Sequence, residues 1–275
     1  MITHYAQLQL HTVSIQGVKQ IYQQKLGFPV IYETDEEIRF QPTAHFTLSF
    51  LEVSEPLSPA HIAFEVPHST FDESAAFIRD SGIPLLQWPD GREVDEFEKG
   101  RNIYFRDGDG NLLELISHSY ITEGVLPPFG ASKIMYLREV GFPADHVIQL
   151  REWFKHVLQM KTREESDIFN FVIGGTAHAI VSSTSRRWIP IAMRALPPRG
   201  TISFGVTDAS FIRQVRSHVE EQSILFESDE ELHFRQYGYS IRLVVAANFD
   251  AQIPVLLGLP LSVAKGSAAY DKSPI

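Results

Sequence analysis

The chain has 275 residues, 44% of them apolar, with a formal net charge of −10 at neutral pH, 11 histidines and no cysteine. That length fits one large or two medium domains with a proper core, and the acidic balance argues against nucleic acid or an anionic membrane surface as the main partner. The missing cysteines exclude disulfides, thiolate metal sites and a cysteine nucleophile, which leaves histidine with carboxylate as the strong metal-binding chemistry.

The first segment, "LQLHTVSI", alternates as a half-buried strand. "GVKQIYQQKLG" then places Val18, Ile21, Tyr22, Lys25 and Leu26 at helical spacing and stops at Gly27. Strand-like runs follow at "VIYET", "IRFQ" and "HFTLSFLEV". The pattern restarts with "HIAFEV" and a helix over "STFDESAAFIRDSG", with Ser69 as its expected cap and Gly82 as its stop. Further strands are expected at "IPLLQ", "NIYFR" and "NLLELIS". The reading is β-α-β-β-β, twice. No run of 18 apolar residues and no start resembling a signal peptide is present, so a cytoplasmic chain is expected.

The second half repeats the first. "TAHFTLSF" (Thr43 to Phe50) matches "TAHAIVSS" (Thr176 to Ser183) at an offset of 133. "IYQQKLGF" matches "WFKHVLQM" at 132, "AHIAFEV" matches "GTISFGV" at 140, and "LLELI" matches "SIRLV" at 128. Helices are expected near Ala144 to Leu158 and Asp208 to Glu221. Four matches in one order predict an internal duplication. The fold class expected is α+β, with four βαβββ units in tandem pairs forming two curved mixed sheets with helices outside. The expected ranges are 1–118 for the first module, 119–132 for a linker, 133–248 for the second module and 249–275 for an extension. Residues 186–200, "RRWIPIAMRALPPRG", read as an insertion, most simply a surface loop packed over module two.

"RDGDGN" (Arg106 to Asn111) has the alternating aspartates of a calcium loop. Counted from Asp107, such a loop needs Gly at its sixth position and Glu at its twelfth. Leu112 and His118 stand there, so the register fails. The stretch reads instead as a hairpin turn, and Glu114 then falls inside the next strand among aliphatic residues. A carboxylate there is costly to bury without a partner. By alternation, His11, His61 and Glu114 all face the concave side if the half-units share a sheet. Two imidazoles and one carboxylate make a facial triad suited to Fe(II) or Mn(II). Each alone has a plainer reading, as a hydrogen-bonded strand histidine or a solvent-facing glutamate.

"IYQQKLGF", "HIAFEV" and "IYFRDGDGNLLEL" resemble the vicinal oxygen chelate superfamily, which includes glyoxalase I, fosfomycin-resistance thiol transferases, bleomycin-resistance proteins and extradiol ring-cleavage dioxygenases. The resemblance runs from about Leu8 to Val245 and implies paired βαβββ units. It implies metal ligands at His11, His61 and Glu114, and one divalent cation: Fe(II) first, with Mn(II), Zn(II) or Ni(II) as alternatives. The matching positions of module two read as Glu139, Thr201 and Arg242. One metal site, in module one, is therefore expected. Four units in one chain resemble the two-domain extradiol dioxygenases, which implies ring cleavage of a small aromatic diol. On that resemblance Tyr104, ten residues before Glu114, contacts substrate, and His45 acts as acid and base. Packing is the default for Tyr104. His178 repeats His45 in a copy expected to lack metal, which favours a structural role for both. The other implied activities are a lyase, isomerase or thiol transferase, with Arg92, Lys99 and Arg101 gripping an anionic substrate. A third is metal-independent ligand sequestration of the bleomycin-resistance kind. The expected partner is a small molecule, and the expected assembly a monomer or homodimer.

Overall fold

The computed structural model describes residues 1–261, so the last part of the expected extension lies outside the described residues. Unit one holds β1 (Ile2–Thr12), α1 (Ile15–Val18, running on as a π-helical stretch over Lys19–Lys25), β2 (Val30–Glu33), β3 (Glu37–Thr43) and β4 (Phe46–Glu52). Unit two holds β5 (His61–Glu65), α2 (Phe71–Asp80), β6 (Val94–Phe97), β7 (Gly100–Arg106) and β8 (Leu112–His118). Unit three holds β9 (Tyr136–Ala144), α3 (Val147–His156), β10 (Lys161–Thr162), β11 (Phe169–Gly174) and β12 (Ala177–Ser183). A small hairpin of β13 (Arg187–Trp188) and β14 (Met193–Arg194) occupies the insertion. Unit four holds β15 (Gly200–Val206), α4 (Ala209–Arg216), β16 (Ile224–Glu227), β17 (Glu231–Gln236) and β18 (Tyr239–Val245), and α5 (Ile253–Leu256) follows. No helix among the described residues is long and apolar enough to cross a membrane.

The four βαβββ units form two eight-stranded mixed sheets, but the sheets do not follow the expected module ranges. Units one and four share one sheet, ordered β16-β17-β18-β15-β1-β4-β3-β2. Units two and three share the other, ordered β10-β11-β12-β9-β5-β8-β7-β6. Each sheet therefore takes half of each sequence module. At both centres the first strands of two units run antiparallel, β1 beside β15 and β5 beside β9. One apolar core, with Tyr22, Phe50, Phe64, Phe105, Phe142, Phe204 and Phe234 fully buried, spans both sheets.

Local signals hold with corrections. Ser14 caps α1, accepting from Gly17 N, and Gly27 takes a positive φ of 69° just past the helix. α2 begins at Phe71, after a 3-10 turn, and Ser69 does not cap it. The Ser69 hydroxyl instead donates to Glu123. "IPLLQ" forms no strand, and β6 pairs with β7 in its place. The Asp107 turn is as expected. Its carboxylate accepts from the backbone N–H of Asp109 and Asn111 and from the Tyr22 hydroxyl, at 3.1, 2.8 and 2.7 Å. Those bonds leave this carboxylate committed to fixing the entry of β8.

Candidate metal centre

Cross-strand register assembles the site. On the cavity face of the second sheet, Tyr104 on β7 lies opposite Glu114 on β8, and Glu114 lies opposite Ala63 on β5. Ala63 lies opposite Glu139 on β9, and Glu139 lies opposite His178 on β12. Five strands thus present one transverse row, Tyr104–Glu114–Ala63–Glu139–His178, at the ~4.8 Å strand spacing. His61, two residues before Ala63, is on the same face. Because Ala63 is small, the two carboxylates and the imidazole converge above it. His61 Nε2 is 3.5 Å from Glu114 Oε2 and 4.0 Å from Glu139 Oε2. One potential ligand atom from each of the three lies within 4.8 Å of the others, the one such group among the described residues.

The donor set fits a divalent cation. All three side chains are buried, at 6%, 2% and 6% exposure for His61, Glu114 and Glu139. Burial, with the charge of Glu139 behind it, holds the Glu114 carboxyl well above its ordinary range. Burial also pushes Glu139 up to about 7, although the Arg138 charge opposes the rise. Burial lowers His61 to about 4, so its imidazole is neutral and ready to ligate. Two adjacent buried carboxylates and one neutral imidazole are strained without a positive charge between them and matched with one. The amide of Asn102 orients this group, its Nδ2 donating to Glu114 Oε1 at 2.8 Å and to the Tyr104 hydroxyl at 3.2 Å.

The three donors and their flanking residues lie in a cavity of about 430 Å³. Tyr104 is on one side, where burial raises its pKa and the Glu114 charge adds to it. His178 is on the other. It is fully buried, its Nε2 has no partner, and burial holds it well below the ordinary imidazole range. The pairing of β5 with β9 shifts register between Ala63 and Phe64, leaving Arg138 as the extra residue. This bulge turns consecutive residues, Arg138 and Glu139, toward one cavity. Arg138 Nη1 donates to Glu65 Oε2 at 3.0 Å, Nη2 donates to the Tyr120 hydroxyl at 2.8 Å, and Nε is 3.6 Å from Glu139 Oε1. The insertion packs on the first half of module two, with Trp188 against Gly141 and Arg186 over the Phe169 ring, and forms a wall of the site. Trp188 packs on His61 with ring centroids 4.7 Å apart.

Of the residues expected at the metal, His61 and Glu114 are brought together and His11 is not. His11 lies on β1 in the other sheet, paired with Leu51 and electrostatically beside Arg199 and Glu55. There the corresponding row reads His233–Arg242–Ser203–Gln7–Thr47. Gln7, Thr201 and Arg242 stand where Glu139, His61 and Glu114 stand in the first row. Arg242 is bound to Glu231 at 2.6 Å, and among the described residues no cluster of three potential metal ligands lies in this polar cup. The third converging donor, Glu139, comes from the half of the chain expected to lack metal ligands. The signal was present: the repeat offset of 132 carries Gln7, not His11, onto Glu139.

Tyr104 joins the cluster, whereas His45 does not. His45 is in the β3–β4 turn, 5.2 Å from the Phe249 ring and 6.3 Å from His4. The cavity histidine is His178, whose place in the other sheet is taken by Thr47, so the offset of 133 that matches His45 to His178 in sequence is two residues out of structural register. Arg92 and Arg101 are paired with Asp95 and Asp72 at 2.9 and 2.6 Å, which leaves Lys99 alone of that trio at the cavity.

No family model matches the chain. A metallothiol transferase FosB from Shouchella clausii is 31% identical over 86 residues, covering 27% of this chain and 57% of that protein. The chain thus spans just over half the length of this curated relative. The fold is similar to that of a candidate dioxygenase from Bacillus subtilis, with a TM-score of 0.67, 11% identity and coverage of 94% of this chain and 91% of that one. It is also similar to glyoxalase I from Zea mays, at 0.60, 11%, 88% and 92%.

Proposed function

We propose that this chain, whose fold is that of the vicinal oxygen chelate superfamily, is a divalent-metal-dependent enzyme, and within that class an extradiol-type dioxygenase of a small aromatic diol. The observation that carries the reading is the convergence of His61, Glu114 and Glu139 in a cavity of about 430 Å³. His61, Glu114 and Glu139 would hold an Fe(II) or similar cation, which would act as a Lewis acid toward negative charge on substrate oxygens, and Asn102 fixes the Glu114 carboxylate. Tyr104 presents a hydroxyl to one substrate oxygen. His178 offers the unpartnered Nε2 that takes a hydroxyl proton and returns it to a later oxygen. Trp188 and the apolar wall exclude water. This ligand set replaces the expected His11, and His178 takes the role expected of His45.

Metal analysis of purified protein tests the first level. One ion per chain is expected, lost in Glu114→Ala and in His61→Ala. Absence of stoichiometric metal after reconstitution would refute it. Anaerobic Fe(II) loading, then catechols and oxygen, tests the second through oxygen uptake and a yellow ring-fission product. One observation favours a second reading, a lyase, isomerase or thiol transferase. Two carboxylates with one imidazole form a harder donor set than two imidazoles with one carboxylate. That reading predicts turnover with Mn(II), Zn(II) or Ni(II) and no oxygen uptake. Ligand sequestration predicts tight binding indifferent to chelator.

A further inference from the structure

The outer part of the cavity carries a charge that the chain as a whole does not. Beyond the buried donors, its lining includes Lys99 in the β6–β7 turn, Arg163 after β10, and Arg186 and Arg187 on the insertion. Lys99, Arg163 and Arg187 are exposed and Arg186 is half-buried, so these side chains mark the solvent end. None of the four forms an ion pair among the described residues, whereas Arg39, Arg79, Arg92, Arg101, Arg216 and Arg242 all do. A protein of net charge −10 thus leaves three unpaired arginines at one opening. Glu98 is the one carboxylate at the cavity outside the metal cluster.

Flat apolar surface lies between the two ends. Phe169, Phe171 and Trp188 line the wall, and the Arg186 guanidinium lies 4.2 Å over the Phe169 ring. Stacking of this kind holds the fork in place while its edge N–H groups stay free for an oxyanion. Arg187 is held by one bond, Nη1 to the Ala192 carbonyl at 3.0 Å, which leaves its other donors unspent.

From this arrangement, and resting on the metal-site reading above, we infer that the substrate is an anionic arene. Its two adjacent oxygens lie at the His61–Glu114–Glu139 end. Its ring lies against the aromatic wall, and a carboxylate or other small oxyanion is gripped by Arg163, Arg186 and Arg187 at the opening. The steering field attracts such an anion into a chain that otherwise repels it.

Two matched ligands test this: 3,4-dihydroxybenzoate and 4-methylcatechol, titrated calorimetrically and anaerobically into Mn(II)-loaded protein. The acid is expected to bind at least ~10-fold tighter, the scale of one charge-assisted contact. Combined Arg163→Gln, Arg186→Gln and Arg187→Gln substitutions should remove that advantage and leave the 4-methylcatechol affinity and the metal content unchanged. Arg163→Gln alone should give part of the loss without touching the hairpin. Added salt should weaken the acid and not the neutral diol. Equal affinities in the wild type, an advantage surviving in the triple variant, or no saturable binding of the acid would each overturn the inference. Metal-dependent but equal binding of both ligands would remove the anion grip and leave the metal reading standing. An arginine-dependent preference for the acid, identical in chelator-treated protein, would uphold the grip and remove the metal reading.

Discussion

Replacing Glu139 with glutamine separates the site seen in the structure from the one expected on sequence grounds. Glu139→Gln keeps volume and an oxygen donor and removes one charge. Glu139 Oε2 lies 4.0 Å from His61 Nε2, and Glu114 Oε2 lies 3.5 Å from it, so a bound dication has both carboxylates close by. At such a separation a unit-charge interaction is worth ~4 kcal/mol at an effective dielectric near 20, and a divalent ion doubles that gross figure. Two effects offset it. Glutamine no longer repels Glu114, and the Arg138 guanidinium, 3.6 Å from Glu139, is released from a competing pair. A net loss of ~3 kcal/mol is expected, a weakening of metal binding by roughly 100-fold or more. Competition titration with a calibrated chelator, using Mn(II) and Zn(II), measures it. His11→Ala should leave the same affinity within ~3-fold. Unchanged binding in Glu139→Gln together with lost binding in His11→Ala would refute the register argument.

Three further outcomes follow from packing and charge. A methyl at Gly141 would sit 2.9 Å from Trp188 Cζ2, so Gly141→Ala should push the indole off His61 and cost ~1–3 kcal/mol, read by near-ultraviolet circular dichroism and urea midpoint. Asp208 caps α4, accepting from Phe211 N at 3.0 Å, and Asp208→Ala should lower unfolding free energy by ~1 kcal/mol. His4 is buried and stacked on Phe249 at 4.0 Å, and burial, helped by the His45 charge, lowers its pKa from 6.5 to about 3. The unfolded state therefore binds the proton first. The stabilisation from neutral His4 is complete above pH 6.5 and is lost as pH falls toward 3. In urea melts the wild type should lose more stability between pH 7 and pH 4.5 than His4→Phe does. Equal losses would place the acid sensitivity elsewhere.

The sequence by itself determined the unit and its number. Alternation, helix stops at Gly27 and Gly82, and the Asp107 turn are local, and local rules set them in strand, helix and hairpin. The turn also fixed the place of Glu114, because a hairpin closed by Asp107 leaves β8 one register in which that residue faces the cavity. His61 was legible for the same reason, as the start of a short strand two residues before a small one. Tertiary structure alone decided which units share a sheet. All four units carry similar strand edges, and nothing local distinguishes pairing one with two from pairing two with three. Once β5 lies beside β9, Glu139 and His178 come into line with Ala63 and Glu114, and His11 and His45 are left in or beside the other sheet. The site is a row across five strands from two units, held by hydrogen-bond register, and register between distant strands is set by the whole core rather than by any one segment.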